Sequence, residues 1–467
     1  MAIPAANTAS EAVRPAPLHA LVSWVLYDWA SQPYYTLVLT FLFAPYFATV
    51  VVGDAAHGQT LWGYAAAAAG VMIAIGSPFL GAFADGRGRR KPWIALFGAL
   101  LVAGLCALWI AKPGADQGTI FLILAAFVIA TIAAEFTQVF TNAIMPSLVP
   151  ADQLGRLSGT GWAVGYAGGL VSLALMAGLV VADPATGKTI LGFEPLIKLD
   201  AAAREGDRLV GPFAALWFVV FMIPFFLFVP DTHKPPPPDA QKRTALAELW
   251  DTISHLPRHP DMLFFLIARM LYIDGLTAIF AFGGIYGAAV FGWQAMELGI
   301  FGIVLTLTGV FGAIIGGVMD DRVGARNVIL VALLILLAGI FGILSIDKTH
   351  IFYNLEVPAK APGSGPFSSV GEKVFLAFAM VIGIVAAPVQ AASRSLLARL
   401  APPDKVTQFF GLFAFSGKVT AFFAPFLIAT VTAATGSERI GMSAIAFFLI
   451  AGMLLMLKVK DRQPAPG

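Results

Sequence analysis

The chain has 467 residues, of which 58% are hydrophobic and only 12% are charged. Soluble globular proteins carry about 25% charged residues, so this composition excludes an ordinary soluble domain and indicates an integral membrane protein. The formal net charge of +2 is nearly neutral, and we therefore expect no nucleic-acid partner.

Long apolar stretches follow one another along the chain. A membrane-spanning helix needs about 20 mostly apolar residues, and by that rule the sequence predicts an all-α integral membrane protein with twelve transmembrane helices. The first six lie at 20–48, 61–84, 93–111, 119–147, 158–181 and 211–229. The second six lie at 262–290, 297–319, 327–346, 373–399, 406–433 and 440–457.

A polar linker at 230–261 separates the two groups of spans, and its run DTHKPPPPDAQKR cannot cross a membrane. We therefore predict two pseudo-symmetric six-helix bundles, at 20–229 and 262–458. Residues 1–19 and 459–467 are predicted to be terminal tails. Within the linker, residues 243–256 are predicted to form a short amphipathic helix on the membrane face.

Basic residues are distributed unequally between the two sets of loops. The loops on the side of the termini hold about twice as many Lys and Arg residues as the loops on the other side. The first loop of this side alone has Arg87, Arg89, Arg90 and Lys91. This bias predicts that both termini are cytoplasmic, in a multi-pass protein of the inner or plasma membrane.

A ten-residue pattern, G-x-x-x-D-x-x-G-x-R, occurs twice, 236 positions apart, each time between two apolar stretches. Its fixed residues are Gly81, Asp85, Gly88 and Arg90 in the first copy, and Gly317, Asp321, Gly324 and Arg326 in the second. Each Asp falls at a helix C-terminus, where the helix dipole disfavours a negative charge. We therefore expect each Asp to contact the N-terminus of a helix in the opposite half, or an arginine of its own loop.

Such contacts would close the cytoplasmic side when made and free it when broken, so both copies, together with Arg89 and Arg322, are predicted to form a cytoplasmic gate. The alternative is a charged turn that only sets topology. A second repeat, with an offset of 252 residues, relates Gln138 to Gln390 and Asn142 to Arg394. Two independent repeats indicate that the halves arose by duplication.

Ionisable and polar side chains at membrane depth are functional candidates, because burying them there costs free energy. Glu135, Asp274 and Asp28 are the candidates for proton coupling, since burial disfavours a charged carboxylate and lets it bind a proton near neutral pH. The candidates for substrate binding are Gln138, Asn142, Gln390, Arg394, Lys418, Tyr27, Tyr272 and Arg269. Spans 1, 4, 7 and 10 carry most of these groups and are expected to line one cavity.

Structural explanations compete with these assignments. Arg269 could extend along its flexible stem to the lipid headgroups, and Asp28 could lie in an interfacial aromatic belt. The amides could be hydrogen-bonded links between helices. Glu135 and Lys418 could pair with each other or with Asp274.

Several segments resemble the major facilitator superfamily. The two loop copies, GAFADGRGRRKPW (Gly81–Trp93) and GGVMDDRVGAR (Gly316–Arg326), resemble the loop signature of that superfamily. The superfamily usually has Arg or Lys directly after the Asp; Arg322 fits, whereas Gly86 departs from the pattern and Arg87 follows it.

Five further segments resemble one branch, the unknown major facilitator family, which includes autophagy-related vacuolar amino-acid effluxers. They are WVLYDWASQPYYTLVLTFLFAPYF (Trp24–Phe47), GRLSGTGWAVGYAGGL (Gly155–Leu170), YIDG (Tyr272–Gly275), VQAASRSLLARLAP (Val389–Pro402) and FGLFAFSGKVTAFFAP (Phe410–Pro425). The resemblance implies export of small solutes, with neutral amino acids as one candidate class. It also matches Asp28, Asp274, Gln390, Arg394 and Lys418 to positions where the branch has these residues.

These observations together predict a secondary active transporter that moves a small charged or zwitterionic solute by alternating access. Proton coupling, efflux and a monomeric state within the bilayer are expected. We see no catalytic triad and no nucleotide-binding fold, and we expect no enzyme activity, cofactor or metal. The alternative is a non-transporting membrane protein on the same fold, such as an assembly or pigment- or complex-biogenesis factor.

Overall fold

The computed structural model describes residues 14–86, 88–231, 244–361 and 363–461. Arg87, the Pro-rich part of the linker at 232–243 and the outermost parts of both predicted tails lie outside the described residues. The helices of the first half are Leu18–Pro33 (α1), Phe43–Tyr46 (α2), Ala55–Asp85 (α3), Lys91–Ala107 (α4), Gln117–Ile144 (α5), Leu154–Leu175 (α6) and Glu205–Phe228 (α7). A π-helical turn at Tyr34–Phe41 joins α1 to α2, and a second one at Phe47–Val51 follows α2. Together these elements form one span, Leu18–Val51.

The second half repeats this arrangement after a short surface helix. Its helices are Ala245–His255 (α8), Pro260–Phe291 (α9), Ala295–Val323 (α10), Ala325–Leu344 (α11), Val370–Leu400 (α12), Val406–Ser416 (α13), Phe423–Thr435 (α14) and Glu438–Met456 (α15). A two-stranded antiparallel hairpin, His350–Ile351 (β1) with Leu355–Glu356 (β2), lies between α11 and α12. Helix α8 corresponds to the amphipathic helix predicted for the linker.

Among the described residues, eleven helical segments are long and apolar enough to cross a membrane. Helices α13 and α14 are each too short to do so alone. Together they form one further crossing, which brings the number to twelve. The prediction of an all-α membrane protein with twelve crossings in two six-helix bundles is confirmed. We call the membrane face at which α1 begins and α15 ends the terminal face; α3, α5, α7, α10 and α12 also end there.

The expectation of one continuous helix at 406–433 is wrong, because the backbone leaves the helical path at residues 417–422. The guanidinium of Arg269 binds the end of α13, donating to the carbonyl oxygen of Phe413 at 2.6 Å and to the Ser416 hydroxyl at 2.7 Å. A cation is favourable at a helix C-terminus, so Arg269 stabilises this ending. Lys418 lies inside the break, near the middle of the membrane-spanning stretch.

The two halves pack mainly through two pairs of helices, α3 against α13 and α6 against α10. Glycine makes these close approaches possible near the terminal face. A Cβ atom on Gly81 would lie 2.6 Å from the Thr407 carbonyl oxygen, and one on Gly159 would lie 2.7 Å from Cα of Gly317. Any larger side chain here would push the halves apart.

Candidate functional site

The first copy of the repeated loop pattern binds the opposite half. Asp85, the last residue of α3, accepts the backbone N–H groups of Thr407 at 3.2 Å and Gln408 at 2.8 Å, in the first turn of α13. Arg90 supports this contact, because its Nε donates to the Thr407 hydroxyl at 2.9 Å and its guanidinium lies 3.7 Å from Asp85. We call this set of contacts the first clasp.

The second copy makes the equivalent contact from the second half to the first. Asp321 of α10 accepts the backbone N–H groups of Gly155 at 2.8 Å and Arg156 at 3.1 Å, in the first turn of α6. The offset of 252 residues that relates the halves also relates 155 to 407 and 156 to 408. This second clasp therefore has the geometry expected from the sequence, an Asp carboxylate at the positive end of a helix in the other half.

A buried salt bridge lies beside the second clasp, and none like it is seen beside the first among the described residues. Arg399 of α12 lies 2.6 Å from Asp320 and 3.7 Å from Asp321, and Ser395 donates a very short hydrogen bond to Asp320. Arg399 also donates to the Ala151 carbonyl oxygen of the first half at 3.0 Å. Arg399 therefore adds a further link between the halves beside the second clasp.

The remaining gate candidates have different roles. Gly88 and Gly324 have φ values of +76° and +90°, a backbone conformation that favours glycine and that lets the loop turn after each Asp. Arg326 binds its own half, donating to the carbonyl oxygens of Met456 at 3.2 Å and Leu457 at 2.9 Å.

The last three residues predicted for the gate are Arg89, Arg322 and Gly317. Arg89 and Arg322 are exposed, and no side-chain hydrogen bond of either is seen within the described part of the chain. A Cβ atom on Gly317 would lie 2.8 Å from the Gly155 carbonyl oxygen. The clasps thus depend on the Asp and Gly positions rather than on these exposed arginines.

Between the halves, deeper in the membrane, Asp28 of α1 and Arg394 of α12 form a buried ion pair. One guanidinium nitrogen of Arg394 lies 3.0 Å from Oδ2 of Asp28 and 3.3 Å from the amide oxygen of Asn142. Ser158 of α6 binds the other side of the guanidinium, since it accepts from Nε at 2.9 Å and its carbonyl accepts at 2.7 Å. Asp28 therefore does not lie in an interfacial belt.

Aromatic rings and a glycine enclose this pair. The guanidinium of Arg394 lies 5.1 Å from the ring centre of Trp24 and 6.0 Å from that of Trp162. A Cβ atom on Gly161 would collide with the Asp28 carboxylate. Because Arg394 is already bound on several sides, it is not available to a substrate in this conformation.

A second ion pair crosses between the halves and is open to solvent. Nζ of Lys418 lies 3.3 Å from Oε2 of Glu135, and the side chains are 35% and 16% exposed. Lys418 comes from the break between α13 and α14, whereas Glu135 comes from α5. The pairing of Glu135 with Lys418, which the sequence left open as an alternative, is therefore present, and both side chains are partly exposed.

Asp274 lies on α9 and is almost fully buried. Its neighbour is Thr420, which lies in the same break as Lys418. Although the Thr420 hydroxyl lies close to this carboxylate, Oδ2 of Asp274 has no hydrogen bond of good geometry within the described residues. A buried carboxylate oxygen without a donor is costly unless it binds a proton or another group.

Of the other candidates, some are partly exposed and some are buried. Gln138 and Gln390 are partly exposed, and the Gln390 amide donates to the Tyr166 hydroxyl at 3.3 Å. Tyr27 is buried among Asp28, Glu135 and Arg394. The buried Tyr272 hydroxyl lies 2.7 Å from the Ser393 hydroxyl within the second half.

Arg269 is 9% exposed, and its guanidinium lies 3.3 Å from the ring centre of Phe413. It does not extend to the headgroups, and it is committed to the end of α13. The structure also brings in residues that were not chosen from the sequence, namely Ser158, Trp162 and Asp320. Ser158 and Trp162 lie in the segment GRLSGTGW, and Asp320 directly precedes the Asp of the second loop copy.

Comparison with known proteins agrees with this architecture. The family model described as "Vacuole effluxer Atg22 like" matches residues 60–464. An uncharacterized MFS-type transporter of Bacillus subtilis, YxiO, is 23% identical over 94% of both chains. Autophagy-related protein 22-1 of Aspergillus niger is 24% identical over 69% of this chain, and the match spans about half of the fungal protein's length, 49%.

Solved structures show the same fold. The major facilitator superfamily transporter FucP in the outward conformation gives a TM-score of 0.70 at 14% identity, covering 95% of this chain and 98% of that one. A bacterial homologue of the iron transporter ferroportin in the outward-facing state gives a TM-score of 0.63 at 13% identity, with 95% and 99% covered. Since the family model covers most of the chain, the protein belongs to the vacuole effluxer Atg22-like family of major facilitator superfamily transporters, and it is a multi-pass membrane protein and not an enzyme.

Proposed function

We propose that the protein is a proton-coupled exporter of a small zwitterionic solute, with amino acids as the first class to test. Its two halves, 20–229 and 262–458, are proposed to rock as units around the two ion pairs that lie between them. The terminal face is proposed to be cytoplasmic, so that the clasped conformation is open to the outside. The single observation that carries the proposal is the solvent-exposed Glu135–Lys418 pair between the halves.

The two pairs suit different tasks. The Asp28–Arg394 pair is sealed by Trp24, Ser158 and Asn142, and breaking a buried pair by losing one partner costs about 3–5 kcal/mol. It is suited to holding the halves together near the terminal face. The Glu135–Lys418 pair is partly exposed, so exchanging its partners costs far less free energy.

A zwitterion can replace both partners of the exposed pair at once. Its carboxylate would bind the ammonium of Lys418, and its own ammonium would bind the carboxylate of Glu135. A proton from the outside would instead neutralise Glu135. The proton and the substrate ammonium therefore compete for one carboxylate, and this competition is the condition for exchanging one against the other.

Gln138 and Gln390 flank this centre on α5 and α12, and their amides can orient a bound solute by hydrogen bonding. Asp274 of α9 lies beside Thr420, which is in the same α13–α14 break as Lys418. Broken helices near the midplane are a common position for substrate and ion sites in transporters. The protein is proposed to work as a monomer in the inner or plasma membrane.

The test uses purified protein in liposomes loaded with radiolabelled amino acids. An acid-outside pH gradient is expected to accelerate efflux from liposomes that contain the protein. Glu135→Gln is expected to abolish the response to the gradient, whereas exchange of labelled for unlabelled solute continues at lower affinity, because the Gln carbonyl oxygen can still accept a hydrogen bond from the substrate ammonium. Lys418→Met is expected to abolish both, because the substrate carboxylate loses its partner.

Glu194→Gln provides a matched control, since Glu194 is an exposed carboxylate in a loop away from the cavity. Its pH response is expected to equal that of the unmodified protein. Full gradient-driven efflux by Glu135→Gln would contradict the coupling role of Glu135. Absence of any transport across a broad solute panel, together with a stoichiometric partner on purification, would support a non-transporting assembly factor instead.

A further inference from the structure

Helix α8 lies outside both bundles and binds the same helix start that the first clasp holds. Thr252 is 5% exposed, and its hydroxyl donates to the side-chain oxygen of Gln408 at 3.2 Å while accepting from Nζ of Lys405 at 3.1 Å. Lys405 also lies 3.7 Å from Asp251. Since Asp85 accepts the backbone N–H of Gln408, α8 and α3 hold one turn of α13 together.

The sequence of α8 gives it three distinct flanks. At about 100° per residue, Thr252, Leu249 and Leu256 share the flank that packs against the bundle. Leu246 and Ile253 lie on the neighbouring flank with Trp250, and their exposed fractions are 66%, 42% and 72%.

His255 lies about 180° from Leu246 around the helix, on a polar flank. An apolar flank and a polar flank on opposite sides, with the docked flank between them, are expected for a helix that lies flat on a bilayer beside the protein. Five residues after α8 ends at His255, α9 enters the membrane at Pro260. The occupant of the exposed apolar flank is therefore the lipid leaflet of the terminal face, with the Trp250 ring at headgroup level.

We propose that α8 is a lipid-anchored latch that stabilises the clasped terminal face. Its apolar flank is held in the leaflet, and Thr252 connects that anchor to the first turn of α13. Opening the terminal face must either break the hydrogen bonds of Thr252 with Lys405 and Gln408 or move α8 through the headgroup layer. The leaflet therefore biases the rocking equilibrium through a helix that contributes nothing to the substrate cavity.

The position of α8 is tested with a fluorescent label in liposomes, in a Cys106→Ala background. A label on Leu246→Cys is expected to be quenched by brominated phosphatidylcholine and protected from aqueous iodide. A label on His255→Cys is expected to show the reverse. Equal iodide quenching at both positions would overturn the lipid anchor.

The latch is tested by double electron–electron resonance in lipid nanodiscs. Spin labels replace Asp152 and Asp404, which are exposed, lie in opposite halves and are related by the offset of 252 residues. Thr252→Val keeps the side-chain shape and removes both hydrogen bonds, so it is expected to lower the ratio of closed to open terminal face about three- to tenfold. Ser254→Ala removes a hydroxyl that bonds only within α8 and is the matched control.

Trp250→Ser is expected to lower the ratio in the same direction, and to have no further effect in the Thr252→Val background. Distance distributions that are the same for Thr252→Val and Ser254→Ala would overturn the latch. Because both readouts are spectroscopic, they are independent of whether the proposed substrate is correct.

Discussion

Replacing Asp321 by Asn is the sharpest test of the clasps. The change keeps the size of the side chain and removes the charge that faces the first turn of α6. The carboxylate accepts two backbone N–H groups, from Gly155 at 2.8 Å and from Arg156 at 3.1 Å. Asn can accept only one of them with its carbonyl oxygen, and its NH₂ group then faces the other donor.

The expected magnitude follows from these two bonds. A hydrogen bond to a charged group contributes about 1.5–3 kcal/mol, whereas a neutral one contributes about 0.5–1.5 kcal/mol. The nearby Arg156 side chain is 61% exposed, so its loss as an ionic partner adds little. We expect the closed terminal face to lose about 2 kcal/mol, which is about a thirtyfold change in the ratio of closed to open molecules.

The measurement is the distance distribution between spin labels at positions 152 and 404 in nanodiscs. Asp54→Asn is a matched control, because Asp54 also accepts a backbone N–H at a helix start, from His57 at 3.0 Å, but within one half. Asp85→Asn is expected to shift the distribution in the same direction as Asp321→Asn. If Asp321→Asn resembles Asp54→Asn to within twofold, the clasps do not hold the halves and the reasoning is refuted.

Three further predictions concern contacts inside the membrane. Gly411→Val is expected to favour the open terminal face by about 1–3 kcal/mol of overpacking, because a Cβ atom there would lie 2.7 Å from the Ser77 carbonyl carbon; an unchanged distance distribution would contradict this. Arg394→Met is expected to destabilise the protein by about 3–5 kcal/mol by leaving Asp28 buried and unpaired. Adding Asp28→Asn should restore much of the thermal stability in detergent, and a double variant that is less stable than Arg394→Met would argue against the pair. Arg269→Lys should lower thermal stability by about 1–2 kcal/mol through loss of the stacking of the planar guanidinium on the Phe413 ring, whereas altered substrate affinity at unchanged stability would assign Arg269 to the binding site.

Much of the architecture could be predicted from the sequence, because the signals are local. Apolar length gave the crossings, and the repeats gave the division into related halves. The contact of Asp85 and Asp321 with helix starts in the opposite half also followed from local physics, since a carboxylate at a helix C-terminus needs a positive partner. The identity of those starts, at residues 155 and 407, required the packing of α6 on α10 and of α13 on α3.

The prediction was wrong where a side chain distant in sequence meets a helix end. Residues 406–433 are apolar enough to read as one helix, yet α13 ends at Ser416, where Arg269 of α9 binds the carbonyl of Phe413. Hydropathy contains no information about that contact, because the two residues are 144 positions apart. The break in turn decides where Lys418 and Thr420 lie.

The sequence by itself determined that the chain crosses a membrane in two duplicated halves and that charged groups lie within the crossings, because hydrophobic length and repetition are properties of the chain. Only the tertiary structure decided which acid meets which base. It pairs Asp28 with Arg394 in a buried contact and Glu135 with Lys418 in a partly exposed one. The physical reason is that an ion pair depends on distance and burial, and both are set by how helices from opposite halves pack.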